Sequence, residues 1–392
     1  MQIRILVLVV SQLLCGPAGM SSVSALRQFA YEPGKCAITI TEVIDAMIKT
    51  QLGLLLGTRT RLSQRQLLRY DLYTPLNPEV RQLLKPGDLG TLKQSNFNPK
   101  WPVRFSIHGW GGRSDSCSNA AIKDAYLSRG NYNVIILDWS RQSMDISYQR
   151  VSKQLAAIAA NLAKMVRFLH DNTGVPYEQI YLVGHSAGSH ISGLAGKQLR
   201  PQRLGAIFAL DPAGLTQLKL GPSERLSPND AMYVESIHTD LTLLGNPSDQ
   251  LSHASFFTNW GLGQPQCPNA TATEFDFVCD HFAALYYFAE SVRRPRLFPA
   301  LRCGSAAAIR SATCNCRNST SSSSSSRHAA MRQTCPGDQF MGGEPAVQKN
   351  GVYYLSTQRQ APYGYDDGMV HMQPPKASTI AATGDVRGWR LE

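Results

Sequence analysis

Short apolar runs alternate with amphipathic stretches through the middle of the chain. Val103–Ile107, Asn133–Leu137, Ile180–Val183, Ala206–Leu210 and Met232–Ile237 are rich in β-branched and aliphatic residues and are bounded by glycine or polar positions. That is the signature of strands buried on both faces. Between them, residues 148–170 carry Val151, Leu155, Ile158, Leu162, Met165, Val166 and Leu169 at helical spacing and stop near Gly174, which predicts one helix. A second helical stretch runs to about Leu199, and Gly351-Val352-Tyr353-Tyr354-Leu355 reads as a last strand. Strands alternating with helices predict an α/β architecture, a mostly parallel central sheet with helices on both faces.

The pattern changes at three places. Residues 1–25 begin with Arg4, continue through Ile5-Leu6-Val7-Leu8-Val9-Val10 and Leu13-Leu14, and end in small residues at Val23-Ser24-Ala25. This is the order of a secretory signal peptide, with an apolar part too short to span a bilayer. Residues 317–327 hold an unbroken serine run, which cannot bury enough apolar surface to fold and reads as a disordered loop. Residues 358–392 are rich in Pro, Gly and Gln and read as an irregular tail. One folded domain over 26–357 is expected between the ends.

Composition refines this picture. With 392 residues, 43% hydrophobic and 17% charged, the chain is globular, which excludes a mostly disordered or fibrous protein. Lys+Arg 39 against Asp+Glu 28 leaves a net charge of +11, which favours anionic partners. No nucleic-acid motif accompanies the charge and the signal points outside the cell, so an anionic lipid surface or a sulfated glycan is the expected partner and nucleic acid is not.

Cys15 would leave with the signal, and an even number of cysteines in a secreted chain reads as disulfides. Local spacing pairs Cys267 with Cys279, Cys303 with Cys314 and Cys316 with Cys335, leaving Cys36 with Cys117. Cys314-Asn315-Cys316 lacks the spacer and the second pair that a zinc site needs, so no metal is expected. Asn269-Ala270-Thr271 and Asn318-Ser319-Thr320 are glycosylation sequons consistent with secretion.

Candidate chemistry centres on Gly184-His185-Ser186-Ala187-Gly188, a G-x-S-x-G sequence between a predicted strand and a predicted helix. The glycines permit a sharp turn that lifts a serine hydroxyl clear of the sheet, the nucleophile elbow of α/β-hydrolases. Such a serine needs a base, and the base needs a carboxylate, in the chain order Ser, Asp or Glu, His. Asp211 follows the run ending Ala209-Leu210 and suits the carboxylate, although a turn aspartate before Pro212 is the plainer alternative. Chain order leaves His238, His253 and His281 as bases once His328 and His371 are set aside as lying in expected disorder, and position does not separate the three. Backbone N–H groups for an oxyanion would come from Ala187 and from the loop His108-Gly109-Trp110-Gly111-Gly112, with Trp110 as donor. His108 is structural by the same chain order.

At this point the sequence resembles the animal neutral lipases of the pancreatic lipase type, in the insect branch that includes phospholipases A1 and relatives of dipteran yolk proteins. The resemblance runs from about Cys36 to Leu355. It is carried by His108-Gly109-Trp110, Leu137-Asp138-Trp139-Ser140, Val183 to His190, Ala209-Leu210-Asp211-Pro212-Ala213, Ile237-His238-Thr239-Asp240, His253 to Phe257 and Cys279-Asp280-His281. It implies an α/β-hydrolase fold, Ser186 as nucleophile, Asp211 as orienting acid, His281 as base, and Trp110 and Ala187 as oxyanion donors. It also implies a lipid ester substrate at a membrane or lipid-droplet interface, with no cofactor. Several departures stand out. Ala187 is small where most members are bulky. Calcium-binding members carry acidic residues where this chain has Pro222 and Ser227, leaving only Arg225 and Asp230 of that loop. The tail after Leu355 is too short for the C-terminal β-sandwich, so no colipase docking is expected. The lid between Cys267 and Cys279 and the loop from Asp240 to His253 are short, which favours phospholipid over triacylglycerol.

Overall fold

The computed structural model describes residues 68–214, 221–267, 276–316 and 334–373, together with the backbone of two short strands, β1 (Phe29–Tyr31) and β2 (Cys36–Ile38). The expected signal, both sequons, the serine run, the end of the tail and most of the lid lie outside the described residues.

The main sheet is built from β3 (Arg69–Tyr73), β4 (Gln82–Leu84), β5 (Val103–Ile107), β6 (Asn133–Asp138), β7 (Ile180–His185), β8 (Ala206–Leu210), β9 (Tyr233–His238), β10 (Ala254–Thr258), β11 (Pro299–Cys303), β13 (Gln339–Phe340) and β14 (Gly351–Leu355). Their spatial order is β13-β11-β14-β10-β9-β8-β7-β5-β6-β3-β4. From β6 across to β14 every pairing is parallel, and antiparallel strands close both edges. The expected α/β architecture is therefore present. The apolar runs form its centre because both faces of β5, β6, β8, β9 and β10 are buried.

The helices are α1 (Leu89–Lys93), α2 (Cys117–Arg129), α3 (Ser140–Ser143), α4 (Tyr148–Ser152), α5 (Leu155–Thr173), α6 (Ala187–Leu199), α7 (Asp276–Arg293) and α8 (Ala306–Arg310). Alternation along the strands assigns them to faces. Ile207 and Ala209 of β8 share one apolar cluster with Ile158, Leu162 and Val166 of α5 and Ile191 and Ala195 of α6. Phe208 and Leu210 share the other with Ala121 and Ala125 of α2 and Ala284 and Phe288 of α7. Leu162 is fully buried, and its truncation to alanine would cost about 2–5 kcal/mol.

Two expectations need correction. The helix read over 148–170 is two, α4 and α5, because the chain turns at Lys153-Gln154 and Gln154 starts a new N-terminus. Gly174 ends α5 as expected, with φ +74° and its N–H on His170 O at 2.8 Å. The strand at 351–355 is not the last element. It lies inside the sheet between β10 and β11, and the segment read as an irregular tail from 358 forms β15 (Met369–His371), antiparallel to β12 (Thr334–Pro336). Trp260 Nε1–H donates to Gln373 O at 2.6 Å, so this segment packs on the domain.

The pairs Cys267–Cys279, Cys303–Cys314 and Cys316–Cys335 are bridged, with Cα separations of 5.7, 5.5 and 6.0 Å. Cys117 is disulfide-bonded as well, while the Cys36 side chain lies outside the described residues. Among the described residues no helix is long and apolar enough to cross a membrane.

Candidate active site

Ser186 stands between β7 and α6 with φ +56° and ψ −122°, a conformation that costs an L-residue about 1–3 kcal/mol and that surrounding structure must enforce. Close packing enforces it here. A Cβ on Gly188 would lie 2.2 Å from Ile107 O, so only glycine lets the start of α6 sit against the end of β5. The N–H of Ser186 donates to Leu210 O at 3.0 Å, which ties the elbow to the end of β8.

The residue that follows β8 is Asp211, also left-handed at φ +40° and fully buried. Its Oδ1 accepts the N–H groups of Thr239 at 2.8 Å and Asp240 at 3.2 Å, and its Oδ2 lies 2.5 Å from His281 Nδ1. The turn-aspartate alternative is thereby displaced, since both carboxylate oxygens act outside their own turn. A carboxylate only accepts, so His281 Nδ1 is the donor in this bond and Nε2 is the ring nitrogen turned away from Asp211. His281 sits in the first half of α7, and its carbonyl accepts His185 Nε2–H at 3.0 Å with the two rings 4.6 Å apart. Burial, with the neighbouring His281, holds His185 well below the ordinary histidine range, so it is neutral.

The other candidate bases are occupied elsewhere. His238 is buried, stacks on Phe257 at 4.4 Å, and bonds Ser236 Oγ and Asn246 O; burial pushes its pKa down to about 4. His253 Nδ1 accepts the Val234 N–H at 3.0 Å. Of the three, His281 reaches Asp211.

The loop after β5 is pinned from several sides. Gly109 O accepts from His108 Nδ1 at 3.0 Å and from Gly112 N–H at 3.1 Å. His108 Nε2 accepts the Trp139 N–H at 3.2 Å, the Trp139 Nε1–H donates to His108 O at 2.8 Å, and the two rings stack at 5.2 Å. His108 Nε2 also lies 3.7 Å from Asp138 Oδ1. In the trans peptide that follows, the Trp110 N–H points away from the Gly109 carbonyl and so away from those donors. A Cβ on Gly109 would lie 2.7 Å from Ser186 Cβ, which measures how closely this loop approaches the serine. The Trp110 ring is fixed by Nε1–H to Asp145 O at 2.7 Å and by an edge contact with Tyr148. Ala187, first in α6, is fully buried with its N–H at the helix N-terminus.

Asp240 was not singled out as a site residue by the sequence, because nothing local marks it. Its carboxylate, Asp211 and His281 bring ligand-type atoms within 4.8 Å of one another. Asp240 nevertheless accepts N–H groups from Thr242, Leu243 and Leu244 and the Thr242 hydroxyl. Burial and the Asp211 charge raise its pKa.

Residues 48–363 match the family model described as Lipase. Lipase member H of Danio rerio is 33% identical over 252 residues, which cover 63% of this chain and 54% of that protein. Inactive pancreatic lipase-related protein 1 of Canis lupus familiaris is 32% identical over 269 residues, covering 63% and 56%. Phospholipase A1 member A of Bos taurus is 30% identical over 342 residues, covering 84% and 70%. The chain thus spans about half the length of the first two relatives.

Proposed function

The chain belongs to the lipase family, and from that premise we propose that it is a secreted serine carboxylic-ester hydrolase that cleaves lipid esters through an acyl-enzyme. The observation that carries this reading is the Asp211–His281 contact at 2.5 Å beside a serine held in the elbow conformation. His281 Nε2 takes the proton from Ser186 Oγ as Oγ bonds to the ester carbonyl carbon. The oxyanion that forms is held by the N–H groups of Ala187 and Trp110. Collapse breaks the bond to the leaving alcohol, which receives the proton from His281. Water, activated by the same nitrogen, then releases the fatty acid and restores Ser186.

The substrate is read as a phospholipid at a membrane or lipid-droplet surface. Support comes from the lid cysteines standing only 12 positions apart, which leaves less apolar cover over a polar headgroup, and from likeness to a protein named phospholipase A1 member A. The net positive charge would draw the protein to anionic lipid or sulfated glycan. The disulfides agree with an extracellular setting.

A second reading, a lipid-binding or storage protein on the same scaffold, is favoured by the similarity to a relative named inactive. Fatty-acid release from phosphatidylcholine and triolein, measured side by side with Ser186→Ala as control, separates the readings. Release from phosphatidylcholine that the variant lacks supports the hydrolase. Preference for triolein overturns the headgroup argument, and silence on both by a folded protein favours the storage reading.

A further inference from the structure

Calcium-binding members of the family carry a calcium loop at the place of residues 221–231, from which this chain departs in sequence. Pro222 and Ser227 stand where calcium-binding members carry acids. The space between the remaining donors is also taken. Lys197 Nζ lies 2.6 Å from each carboxylate oxygen of Asp230 and 2.7 Å from Ser227 Oγ. Asp230 is almost completely buried and accepts in addition the Ser227 N–H at 2.8 Å. A calcium ion needs six or more oxygens, and here an ammonium already holds the side-chain oxygens it would use. Two cations at that separation repel strongly. The residues do not fit calcium.

We infer that the Lys197 ammonium is the resident cation of this loop, a permanent internal brace between α6 and residues 226–230 that makes the fold and the site behind it indifferent to calcium. The local sequence is built for the contact. Gly193, Gly196 and Lys197 share one face of α6, and a Cβ on Gly196 would lie 2.1 Å from Asp230 O, so the loop backbone lies directly on the helix. The brace continues toward the catalytic end of the sheet. Leu226, in the same loop, gives its N–H to His190 Nδ1 at 3.3 Å, and His190 Nε2–H donates to Ala213 O at 2.7 Å, two residues beyond Asp211. The helix that follows Ser186 and the segment that follows Asp211 are thereby tied through one buried path. The inference does not rest on Ser186 being a working nucleophile.

The test is thermal unfolding of the full secreted chain in excess EDTA and in millimolar calcium, on the wild type, Lys197→Met, Asp230→Asn and the double variant. The wild-type midpoint is expected to be the same in both buffers. Each single variant is expected to unfold several degrees lower, because Lys197→Met leaves buried Asp230 only the more distant Arg200 at 3.6 Å and Asp230→Asn leaves Lys197 without its carboxylate, and the double variant to recover part of the loss. A calcium-dependent rise of the wild-type midpoint that Asp230→Asn abolishes would overturn the inference. So would single-variant effects that simply add in the double variant. The wild-type comparison stands even where a variant fails to fold.

Discussion

His281 Nδ1 lies 2.5 Å from Asp211 Oδ2 although the two stand 70 positions apart in the chain. The contact is made because β8 delivers Asp211 to the carboxyl edge of the sheet while α7 returns over the same edge, where the His281 carbonyl meets His185. The carboxylate is oriented in turn by the N–H groups of Thr239 and Asp240. The two side chains are therefore fixed relative to each other by the fold itself.

Asp211→Asn keeps the shape of this arrangement and reverses its polarity. An amide nitrogen facing His281 Nδ1 stabilises the tautomer with its proton on Nε2, which cannot take a proton from Ser186. The turnover number is expected to fall by about 10⁴ with KM nearly unchanged. A loss smaller than about tenfold would show that Asp211 does not orient the base.

His108 is expected to matter although it takes no part in proton transfer. It holds the Gly109 carbonyl and so sets the direction of the Trp110 N–H. Losing an oxyanion donor costs about 10²–10³ in rate, and misaligning one through His108→Ala should cost roughly ten- to a hundredfold in kcat. His108→Asn, which keeps a donor near Nδ1, should recover part of the loss. Equal kinetics for the two variants, or a change confined to KM, would contradict this role.

Acid should destabilise the fold. Burial pushes His190 and His238 down to about 4, against about 6.5 for an ordinary histidine, and depresses His185 as well. Between those values the unfolded chain binds protons that the folded chain does not, so stability falls as pH drops from about 6.5 toward 4, by up to ~1.4 kcal/mol per unit for each histidine. Glu290, pushed up by burial to about 7 from 4.5, works in the opposite direction, as do Asp240 and Asp230, raised by burial, while His253, lowered by burial, adds to the acid sensitivity. The unfolding midpoint should be lower at pH 5 than at pH 7.5, with a shallower slope in His238→Asn. A midpoint that holds or rises at pH 5 would refute the account.

Local features were legible in the sequence and distant ones were not. Ser186 could be found because its motif, the strand before it and the helix after it are contiguous, and Asp211 because it ends an apolar run. His281 could not be separated from His238 and His253 by position alone, since what distinguishes it is a partner brought in by the fold. The family resemblance supplied that choice, and the contact with Asp211 agrees with it. The break between α4 and α5 was hidden because Val151 and Leu155 keep helical spacing across the turn. β15 was hidden because a three-residue strand among prolines and glycines exists only through its pairing with β12. Lys197 carries no local signal in the sequence, because its partner comes from the loop packed on Gly193 and Gly196.

The central claim is that Ser186 is an activated nucleophile, and covalent labelling tests it most directly. The purified protein would be treated with a fluorophosphonate and the modified peptide identified by mass spectrometry. The account predicts stoichiometric phosphonylation at Ser186, absent in Ser186→Ala and slowed strongly in Asp211→Asn. A folded wild-type protein that stays unlabelled, or that is labelled equally in Ser186→Ala, would contradict it.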